Sequence, residues 1–131
     1  TALRMTSELD AGSVYLKRPL SLEGGTAEEI YQRASRYSCE MALQIAKNEP
    51  EPKAQTGEVT LFKRRNSENS RMRTDPSDAV EVFDHIRMLD AEGYPPAFVR
   101  VGDFKLEFSR ASRIVGAVDA DVKITRETKD E

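Results

Sequence analysis

The run Glu49-Pro50-Glu51-Pro52 constrains the fold of this chain more than any other stretch. Proline lacks a backbone N–H and disfavours helical backbone in the residue before it, so two prolines one residue apart end a helix and start an extended segment. The helix they end is well marked upstream. Thr26-Ala27-Glu28-Glu29 has the form of a capping box, with Thr26 as N-cap and Glu29 reaching back. Ile30, Ala34, Tyr37, Met41 and Ile45 then recur at spacings of three and four, which predicts one apolar face on a helix running to Lys47 or Asn48. Cys39 falls inside this helix and is expected to be a buried, inert thiol.

On the N-terminal side of that helix, Leu9-Asp10-Ala11-Gly12 reads as a tight acidic turn, followed by a short strand within Ser13 to Leu20. A carboxylate on a turn between strands is a common place for an active-site group. Beyond the prolines, Val59 to Phe62 predicts a short strand or extended arm, and Lys63 to Thr74 has no hydrophobic period and reads as loop. Asp75-Pro76-Ser77-Asp78 signals a second helix, with Asp75 capping and Pro76 at its first position. Ala79, Val82, Phe83, Ile86 and Leu89 supply its buried stripe, and Gly93 suits its end.

Strands follow. Ala97 to Val101 and Phe104 to Phe108 flank Gly102-Asp103, a hairpin signal, while Ile114 to Val118 and Val122 to Ile124 extend the sheet. Residues 125–131 are expected to fray. The fold class expected is α/β or α+β, ending in a helix and an antiparallel sheet.

Composition narrows the function. Hydrophobic residues are 38% and charged residues 33% of the 131 residues, against about 45–50% with glycine included and about 25% in ordinary domains, which leaves little apolar surface for a large core. The net charge of -3 gives no whole-chain basic field for nucleic acid. One cysteine excludes an internal disulfide framework and suits a reducing, cytoplasmic setting. One histidine and one cysteine make no metal set, and no apolar run approaches the roughly 18 residues needed to cross a bilayer.

Three collinear stretches resemble the folate-dependent formyltransferases, the group that includes methionyl-tRNA formyltransferase and the sugar-nucleotide N-formyltransferases. Thr1, Met5, Asp10 and Gly12 match a Thr-x-x-x-Met then Asp-x-Gly segment. Gln55-Thr56-Gly57-Glu58 through Phe62-Lys63-Arg64-Arg65 and Ser67-Glu68-Asn69-Ser70 matches the linker of the sugar-nucleotide enzymes, with Ser67 where proline is commoner. Ile86-Arg87 and Tyr94-Pro95-Pro96-Ala97-Phe98 match the opening of the family's C-terminal domain, with an extra residue or two between Leu89 and Tyr94.

The resemblance implies that residues 1–48 are the end of a Rossmann-like catalytic domain, 49–74 a linker with an Arg-Arg loop, and 75–131 a C-terminal helix and sheet domain, a partial OB-like barrel. It implies transfer of a formyl group from 10-formyltetrahydrofolate to a primary amine. The Asn-x-His segment of the family is absent from these residues, so a fragment inactive alone is expected, with the folate held mainly by a preceding part. In the family role Asp10 orients the catalytic histidine; as an ordinary residue it caps its own turn. Arg64 and Arg65 would contact a diphosphate through planar donor forks, or form a solvated basic loop. Tyr94 would stack on a base or sugar, or pack to fix the turn beside its prolines. His85 flanks the second helix's stripe as a boundary residue. The Phe-x-Arg-Arg element and the acidic balance rank a nucleotide-linked amino sugar first as acceptor and methionyl-tRNA second. A non-catalytic binding or dimerisation module is the competing class, and a homodimer is compatible with either.

Overall fold

The structure is a computed structural model, and it describes residues 1–127. Its elements run β1 (Ala2–Leu3), β2 (Val14–Leu16), α1 (Ala27–Asn48), a short 3-10 helix (Ser67–Ser70), α2 (Ala79–Arg87), β3 (Ala97–Val101), β4 (Phe104–Ile114) and β5 (Ala117–Arg126). The architecture is mixed helix and antiparallel sheet, with one two-stranded sheet, β1-β2, and one three-stranded sheet in the order β3-β4-β5. The chain divides into two compact units. The first comprises Thr1–Glu23 with Ile30–Lys63, and the second comprises Gly24–Glu29 with the residues from Arg64 onward.

In the first unit, β1 and β2 pair antiparallel, Ala2 opposite Leu16 and Leu3 opposite Val14, with an irregularity between the two pairs. The helix α1 bears out the sequence pattern. Ile30 and Met41 are buried, and Ala34, Tyr37 and Ile45 between and beyond them are half-buried. Cys39 departs from the expectation and is exposed. Two residues past Tyr37 is about 200° around the helix, which turns the thiol away from the stripe. Glu49 takes a left-handed backbone, φ +43°, directly after the helix and before Pro50. The segment expected as a strand or arm at Val59 to Phe62 belongs to no strand, and Val59, Leu61 and Phe62 are each almost fully exposed.

In the second unit, Thr26 and Glu29 form the expected capping box: the Thr26 amide donates to Glu29 Oε2 at 2.8 Å and the Glu29 amide to Thr26 Oγ1 at 3.3 Å. The next helix begins three residues later than Asp75 suggests. Asp78 is the N-cap, in extended backbone, accepting from the Glu81 amide at 2.9 Å. Asp78 prevails because it alone of the two aspartates has a glutamate three positions on, and Glu81 reaches back to the amide and hydroxyl of Ser77, both at 2.8 Å. Pro76 therefore lies before the helix.

The core of this unit is Ile86, Leu89 and Ala97, with Val82, Phe108, Ala111, Val118 and Ala120 packed around it. So α2 lies on one face of the three-stranded sheet. The hairpin at Gly102-Asp103 is as expected, with Val101 opposite Phe104. The following strands differ from the expectation. β4 continues unbroken to Ile114, the turn falls at Val115-Gly116, and β5 runs on to Arg126 rather than fraying from 125. A bulge between Ser109 and Ser112 explains the mismatch, because an extra residue reverses which side chains face the helix. Arg110 sits in the bulge with φ +50°, and its amide donates to Asp90 Oδ2 at 2.6 Å. Residues 128–131, the end of the tail expected to fray, lie outside the described residues.

Candidate functional site

The Asp10 turn is built by backbone more than by side-chain packing. Asp10 has φ +56°, the left-handed region that aspartate tolerates better than most residues. Gly12 is buried, and a Cβ placed on it would stand 1.7 Å from the Arg4 carbonyl oxygen, so no larger residue fits. The Arg4 amide donates to the Ser13 carbonyl at 2.8 Å. Val14 and Lys53 exchange both backbone hydrogen bonds, at 2.7 and 2.9 Å, which lays the stretch after the prolines beside β2. From that stretch Gln55 reaches the carbonyls of Asp10 and Gly12.

Residues 3–10 and Gly12 line an open concavity of about 320 Å³. Asp10 is on its wall and exposed, as are Met5 and Leu9. Among the described residues, no side chain donates to the Asp10 carboxylate. An exposed carboxylate on a pinned turn can accept a hydrogen bond from an imidazole or ammonium brought to it, and stabilise positive charge there.

The other residues singled out from the sequence lie in the second unit. Arg64 is exposed. Arg65 is exposed too, and one guanidinium nitrogen donates to the Asn69 carbonyl at 2.9 Å, fastening the 3-10 helix. Tyr94 is 44% exposed, in a turn closed by its own amide donating to the Ala91 carbonyl at 3.1 Å. Asp10 thus belongs to one unit and Arg64, Arg65 and Tyr94 to the other. His85 is half-buried, and its Nε2 donates to the Ser70 carbonyl at 3.1 Å, a structural contact that fits its expected place at the edge of the stripe.

Several polar groups have contacts that the sequence reading did not anticipate. Asn66 and Asn69 form a reciprocal capping box around the 3-10 helix, at 2.8 and 3.2 Å; an Asn-x-x-Asn spacing was the available signal. Arg87 is buried, with Nε on Asp84 Oδ1 at 2.6 Å and Nη1 on the Gly25 carbonyl at 3.1 Å. Arg100 takes Glu68 in a two-pronged pair at 2.9 and 3.0 Å, takes Glu127 at 2.7 Å, and lies 4.7 Å from the centre of the Phe98 ring. Those hydrogen bonds from Arg100 hold the Glu68 and Glu127 carboxyls below their ordinary value of 4.5 and push Arg100 itself further up. This arginine is therefore occupied by carboxylates. No group of three or more His, Cys, Asp or Glu among the described residues could hold a metal ion, and no helix among them is long and apolar enough to cross a membrane.

The family model for the C-terminal domain of methionyl-tRNA formyltransferase matches residues 67–125, which run from the 3-10 helix into β5. Among solved structures, the methionyl-tRNA formyltransferase from Clostridium thermocellum is similar, with 42% identity and a TM-score of 0.88. The likeness covers 95% of this chain and 54% of that one, so the chain spans about half the length of that protein. No curated protein matches the sequence.

Proposed function

We propose that this chain, which belongs to the formyltransferase family and corresponds to the C-terminal part of such a protein, works within an enzyme that transfers a formyl group from 10-formyltetrahydrofolate to the amino group of methionyl-tRNA. The observation that carries this reading is the 42% identity to a methionyl-tRNA formyltransferase over 95% of the chain. The comparisons favour transfer RNA over the nucleotide-linked amino sugar that the Arg-Arg loop and charge had ranked first.

In this reading Asp10 is the catalytic carboxylate of the first unit. An amine must lose a proton as it becomes an amide, and a base must be positioned to take it. A histidine from the preceding part of the enzyme would take that role, and Asp10, exposed on its turn, would orient the ring and stabilise the imidazolium. The folate would be held mainly by that preceding part. Arg64 and Arg65 would meet phosphate of the acceptor, and Tyr94 would offer an aromatic face to a base. Residues 1–48 would complete the catalytic domain, 49–74 link it, and 75–131 form the C-terminal domain. The reducing cytoplasm suits the lone, exposed Cys39.

A nucleotide-linked amino sugar is the second reading, and the net charge of -3 favours it, since a long polyanion gains little from an acidic chain. Kinetics of the full-length enzyme on each acceptor distinguish the two. Formylation of methionyl-tRNA with a KM that climbs steeply with salt is the expected result, because each phosphate contact releases counterions. Formylation of the amino sugar alone, with a mild salt response, would remove the transfer RNA reading.

A further inference from the structure

Gln55 touches the Asp10 turn from 45 positions away in the chain. Its side-chain Nε2 donates to the Asp10 carbonyl at 2.7 Å and to the Gly12 carbonyl at 2.8 Å. A primary amide has two N–H groups, so both donors are spent on the two carbonyls that bracket Ala11. The contact is delivered by backbone: the reciprocal Val14–Lys53 bonds hold the chain two residues before Gln55 against β2. The turn needs such a hold. Asp10 is kept at φ +56°, where a residue with a Cβ is strained unless its surroundings fix it, and apart from Gly12 no residue from Met5 to Ser13 is buried.

We propose that Gln55 is a positioning residue for Asp10. Its amide holds the backbone on both sides of Ala11 and thereby sets the direction in which the Asp10 carboxylate is presented. It touches no reacting atom in this role, and it acts through Asp10, so the inference rests on the catalytic reading of Asp10 given above. Both N–H groups matter. Glutamate at this position keeps the length of the side chain but replaces two donors with a carboxylate facing two carbonyl oxygens; alanine removes the contact altogether.

The test is a mutant cycle in the full-length enzyme, with kcat, KM for the acceptor and thermal unfolding measured for Asp10→Asn, Gln55→Glu, Gln55→Ala and the Asp10→Asn variant carrying each Gln55 change. Gln55→Glu should lower kcat by about 10- to 100-fold, as misplacing a catalytic group does, with KM changed less than about twofold. On the Asp10→Asn background the same change should cost nothing further, because the group it positions is already gone. Gln55→Ala gives the same cycle if the glutamate variant does not fold. Wild-type kcat in both Gln55 variants overturns the inference while leaving Asp10 untouched. An equal fall in kcat with and without the Asp10 carboxylate also overturns it, since Gln55 would then act on stability alone. Full activity of Asp10→Asn sinks the catalytic reading, and this inference with it.

Discussion

The β1–β2 pair and the β3–β5 sheet are both antiparallel, yet they are held by opposite means. Around β1 and β2 the strands are two and three residues long, their side chains are half-buried, and the turn between them is fixed by Gly12 against the Arg4 carbonyl and by the Gln55 amide. The β3–β5 sheet has strands of five to eleven residues, backed by α2 across a core of Ile86, Leu89 just beyond the helix and Ala97 of β3, with Phe98 1% exposed and packed under Arg100. A region without a side-chain core depends on individual hydrogen-bond donors and on one glycine. A region with a core depends on methylene groups and tolerates loss of polar contacts. In the role proposed for Asp10, an exposed carboxylate would be presented by a backbone that these contacts fix.

The sharpest way to break this contrast is to change one side chain on each side of it. In the full-length enzyme Asp10→Asn should reduce kcat by about 10²- to 10⁴-fold, the range for loss of acid–base assistance, without lowering the thermal midpoint. Asparagine accepts the left-handed backbone at least as well as aspartate, and the side chain is exposed. A fall in midpoint that parallels the loss of rate would show that the carboxylate is structural. Ile86→Ala does the reverse. Ile86 is 2% exposed at the centre of the helix–sheet core, so its truncation should cost about 2–5 kcal/mol of stability in urea unfolding. A cost under about 1 kcal/mol would mean that α2 does not hold the sheet.

The smallest effect expected is electrostatic. Glu68 and Glu127, paired with Arg100, and Glu81, bonded to Ser77, are all held below their ordinary value of 4.5 in the folded chain. A carboxyl depressed on folding stabilises the fold above its unfolded pKa, and that stability is lost as pH falls through the folded value. Unfolding free energy should therefore be level from pH 7 to about pH 5 and decline beneath pH 4.5. Arg100→Met should flatten part of the decline, and because these groups are exposed the effect is slight. An unchanged acid limb in that variant would show that the Glu68–Arg100–Glu127 cluster contributes nothing in solution.

Local signals in the sequence were legible where a short stretch contains its own explanation. Thr26 and Glu29 bond to each other, the stripe from Ile30 to Ile45 is buried or half-buried throughout, and Gly102-Asp103 makes its hairpin. The family resemblance was legible for the same reason, as an ordered set of short motifs. The start of α2 was misplaced because two aspartates compete within four residues, and the choice turns on where Glu81 points. β4 was cut short because the Arg110 bulge breaks the alternation on which strand reading relies.

By itself, then, the sequence determined the elements whose bonds join neighbours: the capped helix, its stop at Glu49-Pro50 and the hairpin. Only the tertiary structure decided what crosses long stretches of chain. It brought Gln55 to the Asp10 turn, closed Gly12 on Arg4, and gave Arg100 to Glu68 and Glu127. The physical reason is that hydrogen bonds and packing act over a few ångströms in space and carry no trace of separation in sequence, so a glutamine 45 residues away leaves no periodic signal of the carbonyls it holds.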